Sequence, residues 1–160
     1  MRKLTQAAWV AAAAGVLVIN PAIASATPGA TAVMPLIGKF RACDFSLEKW
    51  VDAHGFARGV AHLSTSGPNV VTTVDLATAE PDTRYDVRVI QTPRASMGCA
   101  PGAPGVVTGS LQTDAGGAGS TTLQGPIDSN ATGAWVIVQR PSPFSQTPAE
   151  FYTSEFIGSI

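Results

Sequence analysis

Hydrophobic and polar residues alternate along most of the chain after position 57, with a period of two residues. The clearest run is RYDVRVIQT (84–92), where Tyr85, Val87 and Val89 alternate with charged side chains. Such alternation is typical of an antiparallel strand with one face in the core and the other in solvent. The run VVTTVDLATA (70–79) repeats the pattern. Its predicted inward face comprises Val70, Thr72, Val74 and Leu76.

Further strands follow from the same pattern and from the Gly, Pro, Asn and Asp residues that separate the runs. The predicted strands are 38–45, 57–66, 106–113, 120–127, 133–140 and 150–160. The loop DAGGAG between two of these runs predicts a hairpin of 106–113 and 120–127. The segment SLEKWVDAHG (46–55) is ambiguous, and either a loop or one short helix fits it.

These elements together indicate an all-β fold. Seven or eight short strands with turn signals between them are typical of an antiparallel β-sandwich. No long 3.6-residue hydrophobic period interrupts them after residue 26. We therefore predict a single sandwich domain over 38–160, preceded by a flexible lead over 27–37.

The amino terminus has the layout of a secretory signal peptide. A positive start, MRK, precedes thirteen uncharged residues, AAWVAAAAGVLVI, and the cleavage-site pattern ASA ends at Ala26. This apolar run is shorter than the ~20 residues that span a bilayer as a helix, which argues against a membrane anchor. We therefore expect export to the extracellular or periplasm-like envelope space, without stable membrane insertion after residues 1–26 are removed.

The charge of the exported chain argues against two classes of partner. Loss of Arg2 and Lys3 leaves eight basic residues against eleven acidic ones, and Lys39 and Lys49 become the only lysines. Binding to nucleic acid or to anionic lipid needs a basic patch, which this sequence does not supply. We predict that neither is a partner.

The chain contains two cysteines, Cys43 and Cys99. In an exported protein an even pair is typical of a disulfide, and two cysteines permit only one intramolecular pairing. Closing this long loop stabilises the fold by roughly 4 kcal/mol in the chain-entropy model. A free nucleophilic or metal-binding thiol is the alternative.

Several stretches together resemble a group of small secreted actinobacterial proteins, including mycobacterial ones. These are YDVRVIQ, the loop cysteine, GSLQTDAGGAGSTTLQGPI, AWVIVQ and the terminal EFYTSEF, so the resemblance covers Arg58 to the carboxyl terminus. The resemblance implies export and an immunoglobulin-like or transthyretin-like sandwich. The group has no assigned activity, so the resemblance supplies no functional residue.

The two histidines, His54 and His62, are the first candidates for a metal or catalytic site. Zinc and copper sites usually take three or four ligands, and the chain has no third histidine. On one continuous strand the two would lie about 26 Å apart at ~3.3 Å per residue, too far to share a metal. Only a turn at His54–Gly55 would bring them together, with Asp44 or Asp52 as partners. We expect no metal and no other cofactor.

A cluster of carboxylates offers a second candidate site. Asp44, Glu48 and Asp52 recur every four residues and would line one face of a helix, although we expect a solvated face near the rim of the sandwich rather than a site. Paired carboxylates are the chemistry of glycosidases. An envelope-acting hydrolase that uses this cluster, or His54 or His62, is therefore the alternative function, although the sequence lacks a G-x-S-x-G nucleophile elbow.

Aromatic residues surround that acidic cluster. Trp50 lies within it, and Phe45 and Phe56 lie near it. This arrangement suits either a sugar-stacking surface or a plug for one end of the sandwich core.

Two long loops offer a surface for a partner. The segments 93–105 and 141–148 are rich in Gly and Pro, and long loops of compact domains often carry function. If both lie at one end of the sandwich, they form a recognition surface. The candidate contact residues are Met97, Pro101, Pro143 and Phe144. We therefore predict a non-enzymatic module that binds a protein, a glycan or another envelope component, or that has a structural role.

Overall fold

The computed structural model describes residues 30–52 and 54–160. Within these ranges the chain forms nine β-strands and no helix. The strands are β1 (Ala32–Ile37), β2 (Arg58–Ser66), β3 (Asn69–Ala77), β4 (Arg84–Thr92), β5 (Val106–Gln112), β6 (Gly119–Pro126), β7 (Gly133–Arg140), β8 (Glu150–Ser154) and β9 (Gly158–Ser159).

These strands form one antiparallel sheet that folds on itself into a nearly closed sandwich. The hydrogen-bonded order is β5-β4-β7-β8-β1-β2-β3-β6, and β9 pairs with β7. We call β5, β4, β7 and β8 the first layer, and β1, β2, β3 and β6 the second layer. The connection between the layers is narrow, because β8 and β1 pair only at Leu36–Ser154 and Ile37–Thr153.

The inner faces of the two layers form the main core, and the predicted alternation accounts for it. Tyr85, Val87 and Val89 of β4 are completely buried. The predicted inward face of β3 is also buried, while the residues between its members are half-buried. The all-β antiparallel fold class is confirmed. Strands β4 and β7 also begin and end at the residues that the pattern predicts.

The start of the sandwich differs from the prediction. Residues 32–37 of the predicted flexible lead form β1, which pairs with β2 and buries Met34 completely. The predicted strand 38–45 is instead a loop, in which a single bridge joins Arg41 to Leu47. The segment 46–52 continues this loop, so the short helix that was the alternative there is wrong.

The predicted hairpin of 106–113 and 120–127 is also wrong, because β5 pairs with β4 whereas β6 pairs with β3. The turn between them therefore carries the chain from the first layer to the second. Asp114 closes this turn by accepting hydrogen bonds from the amides of Gly116 (2.8 Å) and Ala118 (2.9 Å). The end of the chain likewise forms two short strands, β8 and β9, rather than one.

The Cys43–Cys99 disulfide is present, with 5.6 Å between the Cα atoms. This confirms the predicted pairing, and such a bond is compatible with an exported protein. The predicted signal peptide lies outside the described residues. Among those described, no helix is long and apolar enough to cross a membrane.

Candidate binding site

The outer face of the first layer is covered by residues 38–52, which we call the covering segment. Two of its phenylalanines pack edge-on against aromatic residues of the sheet. Phe40 contacts Phe151, with 5.0 Å between the ring centroids, and Phe45 contacts Trp135 at 5.6 Å. The covering segment therefore forms a second, smaller core with the sheet beneath it.

Covalent and polar contacts hold the covering segment in place. Cys43 is bonded to Cys99 of the β4–β5 loop, and its amide donates to the carbonyl of Ser96 (3.1 Å). The buried indole N–H of Trp135 donates to the carbonyl of Cys43 (3.3 Å). The middle of the segment is thus tied both to the neighbouring loop and to the sheet.

An apolar groove of about 310 Å³ runs along the covering segment. The buried side chains of Ile90, Trp135 and Ile137 form its floor. Trp50 and Met97 also line it, and they are 75% and 82% exposed. Apolar side chains exposed singly are ordinary, but two that line one groove belong to the kind of patch that marks an interaction site.

A polar cleft of about 450 Å³ shares Trp50 with the apolar groove. Its other polar walls come from the end of the covering segment, from the following loop and from the β7–β8 loop. These residues are Asp52, His54, Ser142, Ser145 and Thr147. The volume falls within the range of about 300–1,000 Å³ that is typical of small-molecule sites.

A hydrogen bond orients the side chain of Trp50 although most of its surface faces solvent. Its indole N–H donates to a carboxylate oxygen of Glu48 (2.6 Å), and the amide of Glu48 donates to the carbonyl of Phe40 (2.9 Å). The ring is therefore anchored to a segment that is itself anchored to the sheet. Such preorganisation lowers the entropy cost of a contact with a ligand.

The two histidines lie at different surfaces. His54 precedes β2 and lines the polar cleft beside Asp52. His62 lies on the outer face of β2, with its Nε2 atom 3.8 Å from a carboxylate oxygen of Asp75 on β3. In the part of the chain that is described, no three His, Cys, Asp or Glu side chains are grouped as a metal site would need.

The three carboxylates of the predicted cluster have separate roles. Asp44 accepts hydrogen bonds from the hydroxyl (2.6 Å) and the amide (3.0 Å) of Ser46, and these bonds lower the pKa of Asp44. Glu48 holds Trp50, and Asp52 lines the polar cleft. The single acidic face expected of a helix is therefore not formed.

The aromatic residues of that region divide between the two predicted roles. Phe45 plugs the space above Trp135, as the core-plug alternative predicts. Trp50 and Phe56 are exposed, the second to 93%, and Trp50 lines both the polar cleft and the apolar groove.

The two long loops lie at opposite ends of the first layer, so the recognition surface predicted from both of them is not formed. Antiparallel pairing places Thr92 beside Gly133 and Asp86 beside Gln139. The β4–β5 loop therefore leaves one end of the sheet and the β7–β8 loop leaves the other.

The candidate contact residues of these loops are accordingly dispersed. Met97 lines the apolar groove, and Pro101 lines a separate cleft beside Arg88. Phe144 is 95% exposed and follows Ser142 of the polar cleft, with Pro143 between them. The role of these four residues in binding stays a prediction.

A buried polar network next to the polar cleft is not among the features predicted from the sequence. Glu150 is 3% exposed and accepts hydrogen bonds from the hydroxyls of Tyr85 (2.8 Å) and Tyr152. It also accepts from the guanidinium of Arg140 (3.2 Å). The alternation in EFYTSEF indicates this burial, since it places Glu150 on the same inward face as Tyr152. A glutamate at the end of a strand is nevertheless ordinarily interpreted as exposed.

This network supports the backbone that carries His54. The hydroxyl of Tyr152 accepts from the amide of Ala57 (2.9 Å). Gly55, at a φ of +101°, lies so close that a Cβ atom would overlap the Tyr152 hydroxyl and the Glu150 carboxylate. Only glycine fits this position, because both the space and the backbone conformation exclude a side chain.

Burial and the hydrogen bonds to Glu150 change the acidity of both tyrosines. They raise the pKa of Tyr85 to about 12, and they raise the pKa of Tyr152 well above its ordinary value. Both hydroxyls therefore stay protonated, as hydrogen-bond donors, beyond the pH of about 10 at which an ordinary tyrosine ionises.

Comparison with protein-family models, with curated proteins and with solved structures gave no match for this chain. Its function is therefore inferred from the geometry of the polar cleft and the apolar groove.

Proposed function

We propose that the protein is an exported, non-enzymatic binding module whose binding surface is centred on Trp50. The observation that carries the proposal is the exposure of this side chain together with its contacts. It is 75% exposed, it is held by Glu48, and it forms a wall of both the polar cleft and the apolar groove. Exposed aromatic side chains that are rigidly presented are typical anchors of binding surfaces.

The disulfide and the sequence before Ala26 support the part of the proposal that concerns export. So does the resemblance to small secreted actinobacterial proteins. Amino-terminal sequencing of the protein recovered from its host would identify the processing site. A first residue of Thr27 agrees with cleavage by a signal peptidase, whereas a retained Met1 contradicts it.

A hydrolase is the second candidate, because His54 and Asp52 line one cleft together with Ser142 and Ser145. The contacts of the serines favour a structural role. The hydroxyl of Ser142 accepts from the amide of Phe144 (3.2 Å), and that of Ser145 accepts from the amide of Thr147 (3.1 Å). Both are local turn contacts of the kind that serine makes in loops.

Turnover assays separate the two candidates. The purified protein would be incubated with p-nitrophenyl acetate, casein and a set of p-nitrophenyl glycosides, beside a His54→Ala variant. A binding module gives the same background rate for both proteins. Turnover that His54→Ala abolishes while the fold is retained would exclude the non-enzymatic proposal.

A further inference from the structure

We infer that the polar cleft binds a neutral saccharide chain, one ring of which stacks on the indole of Trp50. This inference rests on the proposed function and specifies the chemistry of its ligand. It follows from three features of the cleft: how Trp50 is presented, which polar groups face it, and which charge surrounds it.

The presentation of Trp50 determines how it can contact a ligand. Its N–H is already bonded to Glu48, so the ring surface is the part of the indole that remains free. A ligand must therefore offer a flat apolar face. The C–H face of a pyranose has this shape, and a ring with an apolar face and a polar edge suits an amphipathic aromatic side chain.

The other walls of the cleft offer mainly short polar side chains. They come from Asp52, His54, Ser142, Ser145 and Thr147, and the hydroxyls of Ser145 and Thr147 are bonded to each other (2.6 Å). Together they supply donors and acceptors at several positions, as the hydroxyl groups around a sugar ring require. An extended peptide bound as an added strand would instead need a free strand edge, and none of the described residues that line this cleft belongs to a strand.

Charge favours a neutral saccharide over an acidic one. Asp52 lines the cleft, and Glu48 lies against the indole ring that forms its wall. A uronate or sulfated chain stacked on Trp50 would place its anionic groups near both carboxylates, which costs affinity.

The inference can be tested by following the indole ¹H–¹⁵N signal of Trp50 in the whole protein during titration. The probes are maltohexaose, cellohexaose and laminarihexaose, with hexagalacturonate as the anionic probe and a tryptic digest of casein as the peptide probe. We expect at least one neutral hexasaccharide to shift the signal saturably, with a Kd of about 1 mM or tighter. Hexagalacturonate should bind roughly tenfold more weakly.

Two variants give the matched comparison, with binding followed by the amide signals of Ser142 and Thr147. Trp50→Ala should weaken binding at least roughly tenfold. Phe156→Ala removes another exposed aromatic side chain, beyond the end of β8 that is remote from the polar cleft, and should bind as the wild type does. Equal denaturation midpoints for the three proteins would exclude unfolding as the cause.

The outcomes distinguish this inference from the proposed function. If casein peptides shift the Trp50 signal and no saccharide does, the saccharide inference is wrong and the binding surface stands. If hexagalacturonate binds as tightly as the neutral chains, the selection for neutral ligands is wrong. If no probe shifts the signal, both this inference and the placement of the binding surface at Trp50 fail.

Discussion

The outer faces of the two layers differ although their inner faces are alike. On the second layer, the outer residues of β2 and β3 are mostly polar and remain partly in solvent, with His62 near Asp75 and Thr73 bonded to Thr122 (2.9 Å). On the first layer, β7 and β8 are buried on both faces because the covering segment packs over Trp135 and Phe151.

This difference accounts for where the two clefts form. A sheet whose outer face carries mainly polar residues can face solvent without a covering segment. A sheet with apolar residues on both faces needs a cover, and an irregular loop cannot match a flat sheet everywhere. The apolar groove and the polar cleft are the spaces along this cover, and Trp50 lies on the loop between them.

The largest expected effect is the loss of the indole beneath the covering segment. Trp135→Ala removes the floor on which Phe45 packs and should lower the free energy of unfolding by about 3–5 kcal/mol. Thr73→Ala on the outer face of the second layer should cost about 0.5 kcal/mol. Denaturation with urea measures both changes, and equal costs would contradict the contrast between the two faces.

The next effect concerns the disulfide that holds the cover. Replacing Cys43 and Cys99 together by alanine should lower the free energy of unfolding by roughly 2–4 kcal/mol. Hydrogen exchange localises the change: amides of residues 38–52 should lose protection at native conditions, while those of β2 and β3 should keep it. Uniform loss of protection in both layers would show that the cover does not behave as a separate unit.

The regular strands could be predicted from the sequence because two independent signals agreed there. In β4 and β7 the alternation and the flanking turn residues both set the bounds, so the predictions of 84–92 and 133–140 were correct. In β1 the signals conflicted, since Pro35 argues against a strand. The carbonyl of Pro35 accepts from the amide of Glu155 (2.9 Å), and in a strand the nitrogen of a residue points to the same side as its carbonyl. The nitrogen of Pro35 therefore faces the chain just beyond the end of β8, where the β1–β8 pairing has stopped.

The covering segment shows why alternation alone is ambiguous. GKFRACDF alternates like a strand, but Phe40 and Phe45 reach the sheet from a loop, through contacts with residues more than 80 positions away in the sequence. The site was only partly predictable for the same reason. Trp50, Asp52 and His54 could be identified as candidates, whereas their proximity to Ser142 and Thr147 depends on the order of β7 and β8 in the sheet.

The smallest effect concerns the buried network that supports the backbone next to the cover. Tyr85→Phe removes the hydroxyl that donates to Glu150 and should lower the free energy of unfolding by about 1–2 kcal/mol at neutral pH. The alkaline range sharpens the test. In the unfolded chain a tyrosine loses its proton near pH 10, whereas Tyr85 in the folded protein keeps it until about pH 12.

Between these values the folded state binds more protons than the unfolded state, so stability must fall as the pH rises from about 10 to about 12. The contribution is fully present below pH 10. In Tyr85→Phe the free energy of unfolding should therefore fall less steeply over this pH range. In the double variant with Tyr152→Phe the fall should be smaller still, because Tyr152 has a raised pKa for the same reasons. Urea denaturation at several pH values measures the slopes. Equal slopes in the wild type and the double variant would mean that burial and the bonds to Glu150 do not hold the two hydroxyls in their protonated form.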